Sequence, residues 1–301
     1  MAGQRGRLDA PARARGCRGR RRGRAVVAVA VGTGAHAPSP RLTLVRDLLR
    51  YRALVRNLVL KELTLKYRDS VLGIAWSLGH PALLLLVYTV AFRHVLRVPV
   101  PHYPLFLLVT LLPWNFFAAA ATASTGAIVH NGALLRKAAF PREALPVASV
   151  LFVFAQLLLA LAVFLPALTL ATGTGLRWTA ILLVPILLLH LVFTTGIALL
   201  LAALTTAWRD VAHFTEVALV LVFWLTPIVY PADMVPAPLR AVLALSPPAA
   251  FATAYQDVLF WGRLPGWPTA ASALVSTVAA AALGRAVFRS MSPAFAERVS
   301  S

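Results

Sequence analysis

The sequence predicts an all-α polytopic membrane protein: six transmembrane helices, an N-terminal amphipathic helix on the membrane surface, and a re-entrant helix pair before the last span. Three observations carry that prediction. Of 301 residues, 59% are hydrophobic and 13% charged, with a mean hydropathy of +0.77, outside the range of soluble domains. After Asp69 the charges fall in small groups separated by apolar runs close to the roughly 20 residues a bilayer-crossing helix needs. Lys and Arg are biased to alternate loops.

The first 40 residues begin with nine arginines (5, 7, 13, 15, 18, 20, 21, 22 and 24) against one aspartate. Such a segment cannot build a core and reads as a disordered extension or a misassigned start. The run AVVAVAVGTGAHAPSP behind it resembles a signal peptide, but cleavage there would leave the basic residues Arg41 to Arg68 outside, against the bias of every later loop. Cys17 is the single cysteine, which excludes an intrachain disulfide and a thiolate metal site.

Residues 41–70 form the next unit. Arg46, Arg50, Asn57 and Lys61 make one polar stripe at helical spacing, and Leu44, Leu48, Val55, Leu58, Val59 and Leu63 occupy the opposite arc, the pattern of an interfacial helix. Arg52 and Arg56 interrupt the apolar arc and are expected to snorkel. A membrane domain follows over 71–290, with a cytoplasmic tail at 291–301. Its expected spans are 71–92, 103–129, 144–171, 178–207, 211–230 and 268–283. The Gly-rich turn ATGTGLR separates the third from the fourth. The uncharged stretch from Ala241 to Gln256 is too short to cross and is broken at Pro247-Pro248, hence the re-entrant pair.

Six crossings place both termini on one side. The loops there hold Lys61, Lys66, Arg68, Arg136, Lys137, Arg142, Arg209, Arg285 and Arg289, whereas the other side has only Arg93, Arg97, Arg177, Arg240 and Arg263. The termini are therefore expected to be cytoplasmic. The net charge of +19 is then a topological signal, with no aromatic-interleaved patch for nucleic acid.

Chemistry is thinly represented. None of the ten acidic residues sits in the middle of a span, which weakens an ion-coupled carrier; His80 and His190, the remaining ionisable candidates, read as hydrogen-bonded packing residues. His213 and Glu216 share a helical face but make a weak metal site. There is no H-E-x-x-H, no G-x-S-x-G and no G-x-x-x-x-G-K-[ST] loop, so the chain has no metal, no catalytic residue and no cofactor of its own in this reading.

Two basic segments stand out. The loop after the second span, LLRKAAFPREALP, places Leu134, Arg136, Lys137, Phe140, Pro141, Arg142 and Glu143 together, a knob suited to a partner's groove, with Pro141 and Pro146 fixing entry into the third span. Lys66, Tyr67 and Arg68 lie at the entrance to the first.

The ordered series YRDSVLGIAWSLGHP, LLRKAAFPREALP, Arg209-Asp210, TPIVYPADMVP and SPPAAFATAYQDVLF resembles the membrane subunits of type 2 ABC exporters. The likeness runs over about residues 41 to 290 and is strongest to the branch that exports lipid-linked polysaccharides such as O-antigen, capsule and teichoic acid. It departs at Ser246-Pro247-Pro248, where that branch carries Asn-Pro, and in its arginine-rich tail. The resemblance implies a homodimer in the bacterial cytoplasmic membrane, served by two copies of an ATP-binding subunit that uses ATP and Mg. It implies that 134–146 is the coupling helix touched by that subunit, and that the helices before the last span stand near the outer gate. Lys66 and Arg68 would meet a lipid pyrophosphate, and Trp76, Tyr88, Trp114, Phe117, Trp224 and Tyr230 would line a channel for sugar faces. A type 2 exporter of drugs or antibiotics, and a membrane enzyme of polyprenyl-lipid metabolism, are the competing classes.

Overall fold

The computed structural model describes residues 50–67, 75–132, 134, 140–175 and 177–295, all within the unit 38–301. The Arg-rich extension, Arg46, Arg68, Arg136, Lys137 and the chain beyond 295 lie outside the described residues, as do the side chains of Tyr67 and Trp76.

Every regular element among the described residues is helical. α1 is Arg52–Tyr67, α2 is Ala75–Tyr88 and widens into a π-helical stretch, Thr89–Val95, α3 is Tyr103–Thr125, and α4 is Ala144–Thr172. α5, Leu183–Ala207, follows the 3-10 turn Trp178–Leu182, and α6 is Val211–Leu225. α7, Ala237–Leu245, and α8, Pro247–Tyr255, precede α9, Trp267–Met291, which ends in the 3-10 turn Ser292–Ala294.

Among the described residues five helical segments are long and apolar enough to cross a membrane: Ser77–Val95, Tyr103–Thr125, Ala144–Thr172, Trp178–Ala207 and Trp267–Ala294. The stretch expected as the fifth of six spans behaves differently. α6 has 15 residues, about 22 Å at 1.5 Å per residue, against roughly 30 Å of hydrocarbon. It stops at Thr226, whose ψ of 137° is extended, because Pro227 disfavours the helical conformation in the residue before it. The last span runs further than its charges implied. Arg285 and Arg289 fall inside α9, at the C-terminal end where cations complement the helix dipole.

Two short helices, α7 and α8, occupy the stretch read as a re-entrant pair, and the break between them falls where the prolines require. Ser246 is extended between α7 and α8, and Pro247 opens α8, a position whose missing N–H costs nothing. The turn after α4 is also as read: Gly173 and Gly175 both have φ near +66° to +67°, open to glycine at no steric cost.

α1 buries Val55 and Leu58 while Arg52, Arg56, Asn57 and Lys61 stay exposed, so the two arginines that interrupt its apolar arc do reach outward. It packs along α4.

The closest helix pair is α5 with α9, which approach through glycine. A Cβ placed on Gly196 would lie 2.5 Å from the Ala280 carbonyl oxygen, and one on Gly284 would overlap the Gly196 carbonyl. In lipid, where apolar surface gains little from association, such backbone contact is what packs helices.

Two apolar clusters organise the bundle. The larger runs through α3, α4 and α5 and includes Phe106, Phe116, Phe193 and Tyr255. The smaller lies by the C-terminal end of α9 and joins Val55, Leu58, Ile128, Leu145, Phe288 and Phe295. At the opposite end, hydrogen bonds tie the connecting segments to the spans: Tyr103 Oη donates to Val229 O (2.7 Å), Thr179 Oγ1 to Val258 O (2.7 Å), and Gln256 Nε2 to Pro227 O (2.8 Å).

Candidate functional site

The loop between α3 and α4 is built from both ends. Pro141 and Arg142 carbonyls accept the Ala144 and Leu145 amides (3.0 and 3.3 Å), and Pro146 occupies the third position of α4, where its absent N–H is one of the helix's unpaired donors in any case. The two prolines therefore set the entry to α4 as the sequence predicted. Leu134 and Phe140 are half-buried and packed on the smaller apolar cluster. Arg142 Nη1 donates to the Ser292 carbonyl, and the Glu143 carboxylate lies 3.8 Å from the Arg289 guanidinium. Five of the seven predicted coupling residues are thus placed, around the C-terminal end of α9.

Of the predicted entrance trio, Lys66 alone has a described side chain. Its Nζ donates to Gln156 Oε1 of α4 (3.0 Å) and stands 5.5 Å from the centre of the Phe152 ring; burial of the amine pushes its pKa below the usual lysine value. Lys61, five residues earlier, donates to Asn131 Oδ1 (3.1 Å). Both lysines act as tethers, one to α4 and one to the 3-10 turn Val129–Asn131.

The aromatic candidates assemble into a connected series. Tyr88 stacks on Phe223 (5.9 Å between centroids), Phe223 meets Trp114 (5.7 Å), Trp114 meets Phe117 (5.7 Å), and Phe117 stacks on Phe193 (5.7 Å). Trp224 joins through Phe223 (5.2 Å) and Phe92 (6.5 Å), and Tyr230 Oη donates to the Trp224 carbonyl (2.8 Å). Within the chain Trp114 and Phe117 are buried, whereas Trp224 is 52% exposed and Tyr88 and Tyr230 are half-buried. Among the candidate rings with described side chains, free surface therefore remains on Tyr88 of α2, Trp224 of α6 and Tyr230 in the segment after it.

His190 belongs to the same packing. It is 4% exposed, stacks on Phe251 of α8 (4.5 Å), and places Nδ1 3.3 Å from Tyr255 Oη. Beside it a cavity of about 20 Å³ is lined by Thr110, Trp114, Thr226 and Tyr255 among others, enough for one water. His80 is exposed, as are His213 and Glu216; among the described residues no group of three or more His, Cys, Asp or Glu gathers as a metal site requires.

One ionisable group escaped the sequence reading. Asp257 is buried in the π-helical turn Gln256–Trp261, and Arg263 Nε donates to its Oδ1 (2.6 Å). Burial pushes the carboxyl pKa up and the arginine partly pulls it back. The chain reverses between them at Gly262, φ +66°. The signal available was the spacing Asp257 to Arg263 across a glycine, which charge counting by loop does not register.

A bundle of long apolar helices defines a polytopic all-α membrane protein. This chain belongs to the ABC-2 type transporter family, whose match covers residues 53–260. It is similar to the O-antigen export system permease protein RfbA of Myxococcus xanthus, 35% identical over 86% of this chain and all of that protein. It is also similar to two proteins of that name from Klebsiella pneumoniae, 30% identical over 68% of this chain and 79% of the relative, and 29% identical over 79% and 91%. The chain is the membrane subunit of a transporter and not an enzyme.

Proposed function

We propose that this chain is the permease subunit of an ATP-driven exporter carrying a lipid-linked polysaccharide across the bacterial cytoplasmic membrane. The observation that carries the reading is its likeness, over 86% of its length, to a protein named as an O-antigen export permease. A separate ATP-binding subunit supplies the energy, with its own ATP and Mg. α6 and the buried segment Thr226–Val229 cross together, making six crossings and leaving both termini cytoplasmic, in keeping with the Lys and Arg bias of the loops.

Two copies of the chain, each with one ATP-binding subunit, would part along a channel. Of the candidate rings with described side chains, Tyr88, Trp224 and Tyr230 keep the free surface to face it. Flat rings stack on sugar C–H surfaces while letting a polymer slide, and the series of rings behind them holds them in place. ATP-driven closure of the partner subunits pushes on residues 134–146.

The test is reconstitution in nanodiscs with the ATP-binding subunit encoded beside this gene. A lipid-linked polysaccharide is expected to stimulate ATP turnover, and Phe140→Ala with Arg142→Ala to lower it. Stimulation by apolar drugs instead would favour the drug-exporter class, and failure to bind any ATP-binding subunit would overturn the reading.

A further inference from the structure

The last described residues of the chain are not a loose tail. Phe295 is fully buried, in edge-to-face contact with the equally buried Phe288 of α9 (5.1 Å, 77°). Both rings sit in the smaller apolar cluster with Ala144 and Leu145, the first residues of α4, and Phe140 packs on its edge. Ser292 closes α9, and its carbonyl accepts the Phe295 amide across the 3-10 turn that follows. Arg142 donates to the same carbonyl, using its second lone pair and placing a cation at the negative end of the helix. One residue on, Glu143 faces Arg289 across 3.8 Å, with 17% and 39% of the two side chains exposed.

Two of the residues that sequence reasoning gave to the partner's surface are thus turned toward the chain's own C-terminal end. We infer that Ser292–Phe295, with Arg289, is a latch that holds residues 140–145 in the geometry in which the ATP-binding subunit engages the preceding residues. Arg142 and Glu143 are positioning residues: they act on the partner only through the segment they fix. The inference rests on the proposed function, since it needs a partner subunit at that loop. It adds that the docking element is completed by the end of the chain, 150 residues away in sequence.

The charge pair gives a test that a general loss of stability cannot imitate. In the full-length permease co-expressed with its ATP-binding subunit, Glu143→Arg and Arg289→Glu are each expected to lower the retained subunit and the ATP turnover about threefold to tenfold, and the double exchange to recover both to within about twofold. Phe295→Ala is expected to cause the same loss while the permease still elutes as one species from size exclusion. Single exchanges without effect would overturn the latch. So would a double exchange that stays as poor as the singles, which would mean that Glu143 touches the partner itself. If the unaltered permease retains no ATP-binding subunit, the proposed function fails first and the latch with it.

Discussion

At the scale of single residues the consequential groups are those whose surroundings contradict their chemistry. Asp257 is a carboxylate taken out of water, and Arg263 offsets only part of that cost. Because its pKa is raised above the ordinary 3.8, the folded protein holds a proton that the unfolded chain has lost between the two values, and stability falls as pH rises through that window. Thermal unfolding in detergent is expected to show this decline in the wild type and a flatter profile in Asp257→Asn; equal slopes would contradict it. Lys66 shows the same principle with less burial. The sequence reading assigns it to the cytoplasmic entrance, and its hydrogen bond to Gln156 and its place over Phe152 make it a fastener for α1. Lys66→Ala is expected to weaken the attachment of α1 by about 1 kcal/mol, combining a charge-assisted hydrogen bond and a cation–ring contact, seen as faster proteolysis within α1.

At the scale of elements, helix existence was legible because apolar run length reports bilayer thickness directly, and because proline and glycine mark ends by stereochemistry. Hence the agreement at 144–172, at 178–207 and at the Ser246 break. Two ends were misjudged for a shared reason. Charge was taken as the limit of a span, yet α9 continues past Arg285, and α6 stops early at Thr226 through its neighbour Pro227 with no charge nearby. The α5 to α9 crossing could not be read at all, since Gly196 and Gly284 are 88 residues apart in number and nothing local distinguishes them from other glycines of spans. Gly284→Val is expected to cost about 1–3 kcal/mol by overpacking, with a lower detergent melting temperature and less monodisperse protein. Gly266→Ala, where an added Cβ meets nothing closer than 3.6 Å, should leave both unchanged.

At the scale of the whole molecule the sequence separated two regions, a basic knob after the second span and a set of aromatic residues along the spans, and the fold packs Leu134 and Phe140 of the first on the smaller apolar cluster and Trp114, Phe117 and Phe223 in the larger. What sequence could not supply was the division of labour within each. Trp114 and Phe117 were read alongside Trp224 as channel residues, but they are buried in the protomer core, and only packing between α3, α5 and α6 decides that. Trp224→Ala is accordingly expected to slow glycan transport about fivefold, by the loss of roughly 1 kcal/mol of ring contact, with ATP hydrolysis kept. Trp114→Ala is expected instead to lower folding yield. A transport assay on protein normalised for folded amount separates the two.

The glycine crossing also limits how the permease can move. With backbone resting on backbone between α5 and α9, those helices cannot slide past one another without lifting apart, so they travel as a single beam. A push delivered near Phe288, at one end of that beam, would arrive at its other end as rotation. The compliant boundary must then lie across the bundle, where α2 loosens into its π-helical stretch and α6 gives way to non-helical chain at Thr226.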